Sequence, residues 1–201
     1  MEVEPVRDMA DVKRIYKWLQ ENYTVREAEC WLIGCNLALR ASDLLSLKFE
    51  QIEQGQKTVT LFEKKTGKRK EFPITPIVRE AVARIRAYYD SKDFYKTKKF
   101  IPVYIFQSTS RRAFHLCQPI CVQYLSYAYK ECAKELKLEH NFCTHSMRKT
   151  WGYHAYEHGG ADILYIQALL NHSNQHVTLK YIGVTKTTLQ KMYFDNSLEI
   201  A

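Results

Sequence analysis

Apolar side chains recur along most of the chain at the spacing of a helix's inner face. Met9, Val12, Ile15, Tyr16 and Leu19 form one such stripe over residues 8 to 22, with Asp8 placed to cap it. A second helix is expected from Val25 to Leu37. Arg40 then falls at a turn, and Ser42 with Asp43 can cap a short helix through Leu47. From Phe49 to Ile74 the pattern changes. Thr58, Val59, Thr60, Leu61 and Phe62 favour a strand, Lys65-Thr66-Gly67-Lys68 a turn, and Lys70 to Ile74 the returning strand of a small antiparallel sheet.

Helical spacing returns at Pro76, through Val78, Val82, Ile85 and Tyr89. Ser91 to Thr97 reads as loop and Val103 to Phe106 as a short buried piece. Pro119 is expected to open a helix carrying Ile120, Tyr124, Tyr127, Ala128 and Leu136. Thr144 is expected to cap one that runs to about Tyr156 and stops at Gly159-Gly160, and Ala161 to Leu170 forms the next. The pattern predicts a mainly α chain with one small antiparallel β-sheet, an α+β fold. A single domain is expected over 1–201, with its core over about 3–181 and an amphipathic tail helix over 182–201 carrying Val184, Leu189, Met192 and Phe194.

Composition narrows this picture. With 201 residues, 46% hydrophobic and 26% charged, and only seven Gly and five Pro, the chain can bury one good-sized core and has no long low-complexity linker. The first 30 residues are rich in charge and no apolar run approaches membrane-span length, so no membrane partner is expected and a cytoplasmic setting fits best. The six cysteines lack paired CxxC spacing and are expected to be reduced, mostly buried thiols. A net charge of +8 points to a polyanionic partner without naming it.

Candidate chemistry sits at five places: Arg40, Lys65, the run His145-Ser146-Met147-Arg148, His172 and Tyr181. In a helix beginning at Thr144, His145 and Arg148 share one face near an N-terminus, which is a ready phosphate site. His172 and Tyr181, nine residues apart, fall on opposite faces of any continuous helix. The turn formers Asn171-His172-Ser173-Asn174 must therefore break the chain and let a second helix, Gln175 to Tyr181, turn back. Two arginines can grip one phosphodiester with forked donors, stabilising the extra charge of a pentacoordinate phosphorus. A tyrosine hydroxyl attacks only when a base takes its proton or nearby cations lower its pKa. His145 suits the first task, the arginines the second, and Lys65 can act as acid for the leaving sugar oxygen. The chain has neither a P-loop nor a Gly-rich dinucleotide fingerprint, and no cofactor is expected.

In this order the residues resemble the tyrosine recombinase, or phage integrase, family over about Val3 to Tyr193. Leu39-Arg40-Ala41-Ser42-Asp43-Leu44-Leu45 looks like its first arginine box, and Lys64-Lys65-Thr66-Gly67-Lys68-Arg69 followed by Phe72-Pro73-Ile74 like its lysine-bearing hairpin. Thr144-His145-Ser146-Met147-Arg148-Lys149-Thr150 is similar to its His-x-x-Arg box, and Leu169-Leu170-Asn171-His172-Ser173 with Tyr181 to its last. The resemblance implies the family's catalytic-domain fold and site-specific recombination of double-stranded DNA. It implies that Arg40 and Arg148 bind the scissile phosphate, Lys65 protonates the leaving 5′ oxygen and His145 serves as acid or base. His172 would hydrogen-bond the phosphate, Tyr181 attack it to leave a 3′-phosphotyrosine, and Asp43 orient the basic groups. The distance to Pro73 and the following Thr66 favour Lys65 over Lys64.

Lys64, Lys68, Arg69 and Lys149 are candidate DNA contacts, although solvation is the plain reading for Lys68 and Lys70. Homodimers or tetramers on DNA are implied, with the tail docking either into a neighbour or onto its own domain. Family members carry a helical DNA-clamping domain ahead of the catalytic one. Here the catalytic pattern begins almost at Met1, so this core-binding domain is expected to be absent, whether the chain is a fragment or a minimal member. The alternatives are a noncatalytic DNA-binding regulator and a type IB topoisomerase-like relaxase. A competing motif, His154-Ala155-Tyr156-Glu157-His158, fits the H-x-x-E-H pattern of some zinc peptidases. Gly159-Gly160 would end its helix beside the second ligand and no completing carboxylate is evident, so no metal is expected.

Overall fold

A computed structural model of the chain describes residues 3–53, 55–92, 101–110, 116–139 and 141–184, with residues 190, 193, 194 and 197 beyond them. The expected loop falls outside these residues from position 93 on, and so does most of the expected tail helix.

Helix α1 (Met9–Asn22) starts where Asp8 accepts a hydrogen bond from the Ala10 amide at 2.7 Å. Helix α2 (Val25–Leu37) opens on a capping box of Thr24 and Glu27. It carries little amphipathic stripe, because it is buried nearly all round. Around it pack α1, α5 (Pro76–Ser91) and α7 (Thr144–Glu157). Gly34 makes the last contact possible, since a Cβ there would lie 2.2 Å from the Met147 sulfur. Trp31, Tyr129 and Phe142 meet in the core with centroids 5.3 to 5.9 Å apart, and Tyr129 comes from α6 (Val122–Glu135).

Two short helices, α3 (Ala41–Leu44) and α4 (Glu50–Glu53), follow α2. Strands β1 (Thr58–Phe62) and β2 (Arg69–Pro73) then pair antiparallel in the register Val59↔Phe72 and Leu61↔Lys70. A second, smaller apolar cluster joins Ala38 to Ile166 and Leu170 from α8 (Ile163–Leu169) and its C-cap, and to Ile182 from α9 (Gln175–Ile182). This cluster seats the last two helices against α7. Gly152 allows the approach, because a Cβ there would meet the Ile182 side chain at 2.8 Å.

Several expectations are corrected. Ser42 and Asp43 lie inside α3 instead of capping it, because the Arg40 carbonyl already accepts the first bonds, from the Asp43 and Leu44 amides. Pro119 belongs to an isolated bridge with Gln107, and the helix after it starts at Val122. Cys143, not Thr144, caps α7, in a reciprocal pair with Ser146. All six thiols are free, but only Cys30 and Cys132 are buried and Cys121 is exposed. Among the described residues no helix is long and apolar enough to cross a membrane.

Candidate active site

The chain leaves α2 through Ala38, whose φ of 51° turns it sharply. Arg40, two residues on, is thereby delivered to the edge of a cleft of about 440 Å³. Arg40, Lys65, His145, Arg148, His172 and Tyr181 all line this cleft. Residues dispersed between positions 40 and 181 of the sequence thus converge on one volume.

Arg148 is nearly fully buried. Its Nη1 donates to the Ala38 carbonyl at 2.9 Å and its Nη2 to the Leu170 carbonyl at 2.6 Å, which fixes the plane of the guanidinium. Glu63, just past β1, lies 2.5 Å from Arg40 Nη1 and 3.9 Å from Arg148 Nη1. The Arg40 contact is an ion pair by distance, without the angles of a hydrogen bond. The Thr66 hydroxyl donates to Glu63 at 2.6 Å. Although burial opposes its charge, the close Arg40 guanidinium and the hydrogen bond from Thr66 hold the Glu63 carboxyl down at about 2.

The hairpin that presents Lys65 is tied down from below. Asp43, buried in α3, accepts the Lys64 amide at 2.9 Å. Asp43 therefore holds the hairpin that carries Lys65 through a backbone amide, and no hydrogen bond joins it to the arginines among the described residues. Gly67, at φ +66°, makes the turn.

Tyr181 and His172 reach the cleft from the break between α8 and α9. Asn171 is left-handed at φ 52°, and Asn174 restarts the helix by accepting the Val177 amide at 2.9 Å. The His172 and Tyr181 rings meet edge to face at 4.7 Å. The far end of α9 is strapped by the N-terminal segment, where Arg7 donates to the Gly183 carbonyl at 3.3 Å. The Thr178 hydroxyl donates to the Asn174 carbonyl at 3.2 Å, so its oxygen accepts from His172 Nδ1 at 3.1 Å. In the neutral ring this leaves Nε2 as a bare acceptor.

Burial raises the Tyr181 pKa, and the charges of Arg148 and Arg40 with a hydrogen bond from Arg148 only partly offset it. The phenol therefore stays protonated in the free protein, and the two arginines lower its pKa, as expected of them, by less than burial raises it. Both histidines are held neutral at pH 7. Desolvation, then Arg148 and Arg40, bring His172 down to about 4, and desolvation with Arg148, Lys149, Lys65 and Arg40 lowers His145.

Of the expected DNA contacts, Lys64 and Lys68 are exposed on the hairpin that carries Lys65. Arg69 is exposed but paired with Glu71 at 3.0 Å. Lys149 is only 6% exposed and places its ammonium 4.8 Å from the Tyr181 ring centroid. Lys70, read as solvated, is buried and donates to the Ala38 carbonyl at 3.1 Å. Glu63 and Lys70 are the two site residues that sequence reading missed. Strand alternation carries the signal for Lys70, which shares the inner face of β2 with Phe72.

At the competing motif, His154 Nε2 lies 3.0 Å from the Val6 carbonyl, and its ring is 5.2 Å from that of His158. Among the described residues no group of three or more His, Cys, Asp and Glu is placed to hold a metal.

The sequence pattern of the phage integrase family matches residues 7–188. The probable integrase/recombinase YoeC of Bacillus subtilis is 29% identical over 191 residues, 95% of this chain and 95% of that one. Tyrosine recombinase XerC of Chlorobaculum parvum is 28% identical over 174 residues, 81% of this chain and 46% of its own length. The chain thus spans nearly all of one relative and about half of the other. Among solved structures, the XerA recombinase aligns over 100% of this chain and 68% of its own, with a TM-score of 0.72 at 16% identity. A lambda integrase dimer bound to a COC′ core site aligns over 100% and 52%, with a TM-score of 0.68 at 14% identity. At such identities these two likenesses speak for the fold.

Proposed function

Because this chain belongs to the phage integrase family, we propose that it exchanges strands between specific double-stranded DNA sites through a covalent 3′-phosphotyrosine on Tyr181. The observation that carries the reading is the single cleft lined by a half-buried phenol, two guanidiniums, two imidazoles and a lysine. Arg40 and Arg148 take the non-bridging oxygens of the scissile phosphate and stabilise the charge that builds on them at five-coordinate phosphorus. The phenol oxygen attacks phosphorus, and the bond to the 5′ oxygen breaks. Lys65 supplies the proton that makes that oxygen a hydroxyl.

The phenol proton needs an acceptor, since burial keeps Tyr181 protonated. His145, neutral at pH 7, is suited to take it. His172 enters the free cleft as an acceptor at Nε2 and becomes a donor to the phosphate on gaining a proton. A bound phosphodiester promotes that gain by offsetting Arg148 and Arg40. Rejoining is the reverse: a 5′ hydroxyl attacks the phosphotyrosine and the phenol leaves. The bond energy is retained throughout, so the cycle needs neither nucleotide nor metal.

Complete exchange between two duplexes cuts four strands. Each chain offers one Tyr181, so four copies act together, assembled as pairs on each site. Exposed Lys64 and Lys68, on the hairpin that carries Lys65, take the adjoining phosphates. The compartment is the cytoplasm, with the protein on the nucleoid when it holds DNA. A noncatalytic DNA binder has no use for a phenol packed against two buried cations.

The test is a nicked suicide duplex, from which the short fragment bearing the freed 5′ hydroxyl diffuses away. The unaltered chain is expected to yield a denaturation-resistant protein–DNA adduct, and Tyr181→Phe none. Equal trapping by both overturns the nucleophile assignment.

A further inference from the structure

Lys70 occupies a place that the proposed chemistry does not require. The second residue of β2, it is only 6% exposed, and its Nζ donates to the Ala38 carbonyl at 3.1 Å. The same oxygen accepts from Arg148 Nη1 at 2.9 Å. Two buried cations therefore converge on one neutral acceptor, at a residue held left-handed two positions before Arg40. Folding alone does not call for this arrangement. Like charges repel, an ammonium loses hydration on burial, and an apolar side chain of similar volume fills such a space at lower cost. The neighbouring anions Glu63 and Asp43 compensate only in part: Glu63 is engaged by Arg40 and Thr66, and Asp43 accepts the Lys64 amide.

We propose that Lys70 is a positioning residue for strand cleavage: by clamping the Ala38 carbonyl together with Arg148, it sets the Arg148 fork and the exit of the chain toward Arg40. Its charge also adds to the cation excess behind the scissile phosphate. The inference rests on the recombinase reading of the cleft.

The charged groups facing Lys70 are Arg148 from α7, Glu63 beyond β1, Arg40 ahead of α3 and Asp43 within α3. Burial, then repulsion by Arg148, brings its pKa down to about 8. The ammonium is therefore present at neutral pH and lost in mild alkali, which loosens the clamp and slows cleavage. Stability moves the other way. With the folded pKa below the unfolded one, the unfolded chain binds more protons from about pH 8 up to the ordinary lysine range, so this group makes the fold more stable as pH rises there. An alkaline loss of cleavage through Lys70 is thus separable from unfolding.

The experiment follows single-turnover cleavage of the nicked duplex by the full chain, Lys70→Met and Lys70→Arg, from about pH 6.5 to about pH 9.5, with gel retention and thermal melts in parallel. The unaltered chain is expected to slow above about pH 8. Lys70→Met should cleave at least about ten-fold more slowly at neutral pH, with retention changed by no more than about three-fold and no alkaline limb of its own. Lys70→Arg, which stays charged throughout, should recover the neutral rate to within about three-fold and hold it through the alkaline range. Lys70→Met cleaving as fast as the unaltered chain, or Lys70→Arg keeping the same alkaline limb, overturns the proposal. If Lys70→Met does not fold, the Lys70→Arg profile decides. Absence of any adduct from the unaltered chain removes the recombinase reading and this inference together, whereas an adduct with unmoved Lys70 profiles removes this inference alone.

Discussion

Helix α2 has a buried cluster of charge at each end, and the two are built differently. At its start Arg26 pairs with Glu27 and donates to the Gln107 carbonyl at 2.7 Å, while Glu29 accepts from Arg84 at 2.6 and 3.0 Å and from the Tyr16 hydroxyl at 2.7 Å. Each cation there has its own carboxylate. Beyond its other end, Arg40, Lys70 and Arg148 crowd together with Lys65 and Lys149 close by, against the carboxylates of Glu63 and Asp43. A matched cluster completes itself and needs no ligand. A cluster with surplus cations, held by carbonyls and opening on a cleft, is incomplete until an anion arrives.

That contrast is broken most forcefully at the matched end. Glu27→Gln leaves the buried Arg26 without its anion and should destabilise the fold by about 3–5 kcal/mol, measured by denaturant unfolding. Cleavage by the folded fraction should be unchanged. At the other end the effects exchange places. Arg148→Ala should slow cleavage by about 10²–10³-fold in single-turnover assays, with a smaller loss of stability than Glu27→Gln, because Arg40 still neutralises Glu63. If both substitutions act chiefly on stability, the two clusters do not differ in kind.

A milder change sharpens the comparison through packing. Gly152→Ala sets a methyl group against the branched Ile182 side chain, one residue beyond Tyr181, and α9 must shift to accept it. A loss of about 1–3 kcal/mol is expected, with cleavage reduced beyond what that loss explains. Unfolding and single-turnover rates measured on the same preparation separate the two contributions.

The bounds of α1 and α2 could be read directly, because Asp8 and the Thr24–Glu27 capping box mark where each helix begins. The six cleft residues could be read as well, since their order along the chain, rather than any one of them, carries the pattern. What escaped depends on three-dimensional circumstance. Lys70 looked solvated inside a run of basic residues, and only the knowledge that the inner face of β2 covers the Ala38 turn makes it a buried ion. Ala38 and Asn171 supply the two left-handed turns that aim Arg40 and His172, and nothing in an alanine announces a positive φ. Helix α4 spans four residues, too few for a periodicity to register. Asp43 holds the Lys64 backbone amide, a partner that residue type alone does not reveal.

The central claim is that one phenol, Tyr181, takes up phosphorus inside the cation-rich cleft. Peptide mapping of the adduct from a nicked duplex tests it most directly. The account predicts a nucleotide mass carried by the peptide that contains Tyr181, and by no other. A nucleotide on a different residue, such as the exposed Tyr165, or cleavage that leaves no modified peptide, would contradict it.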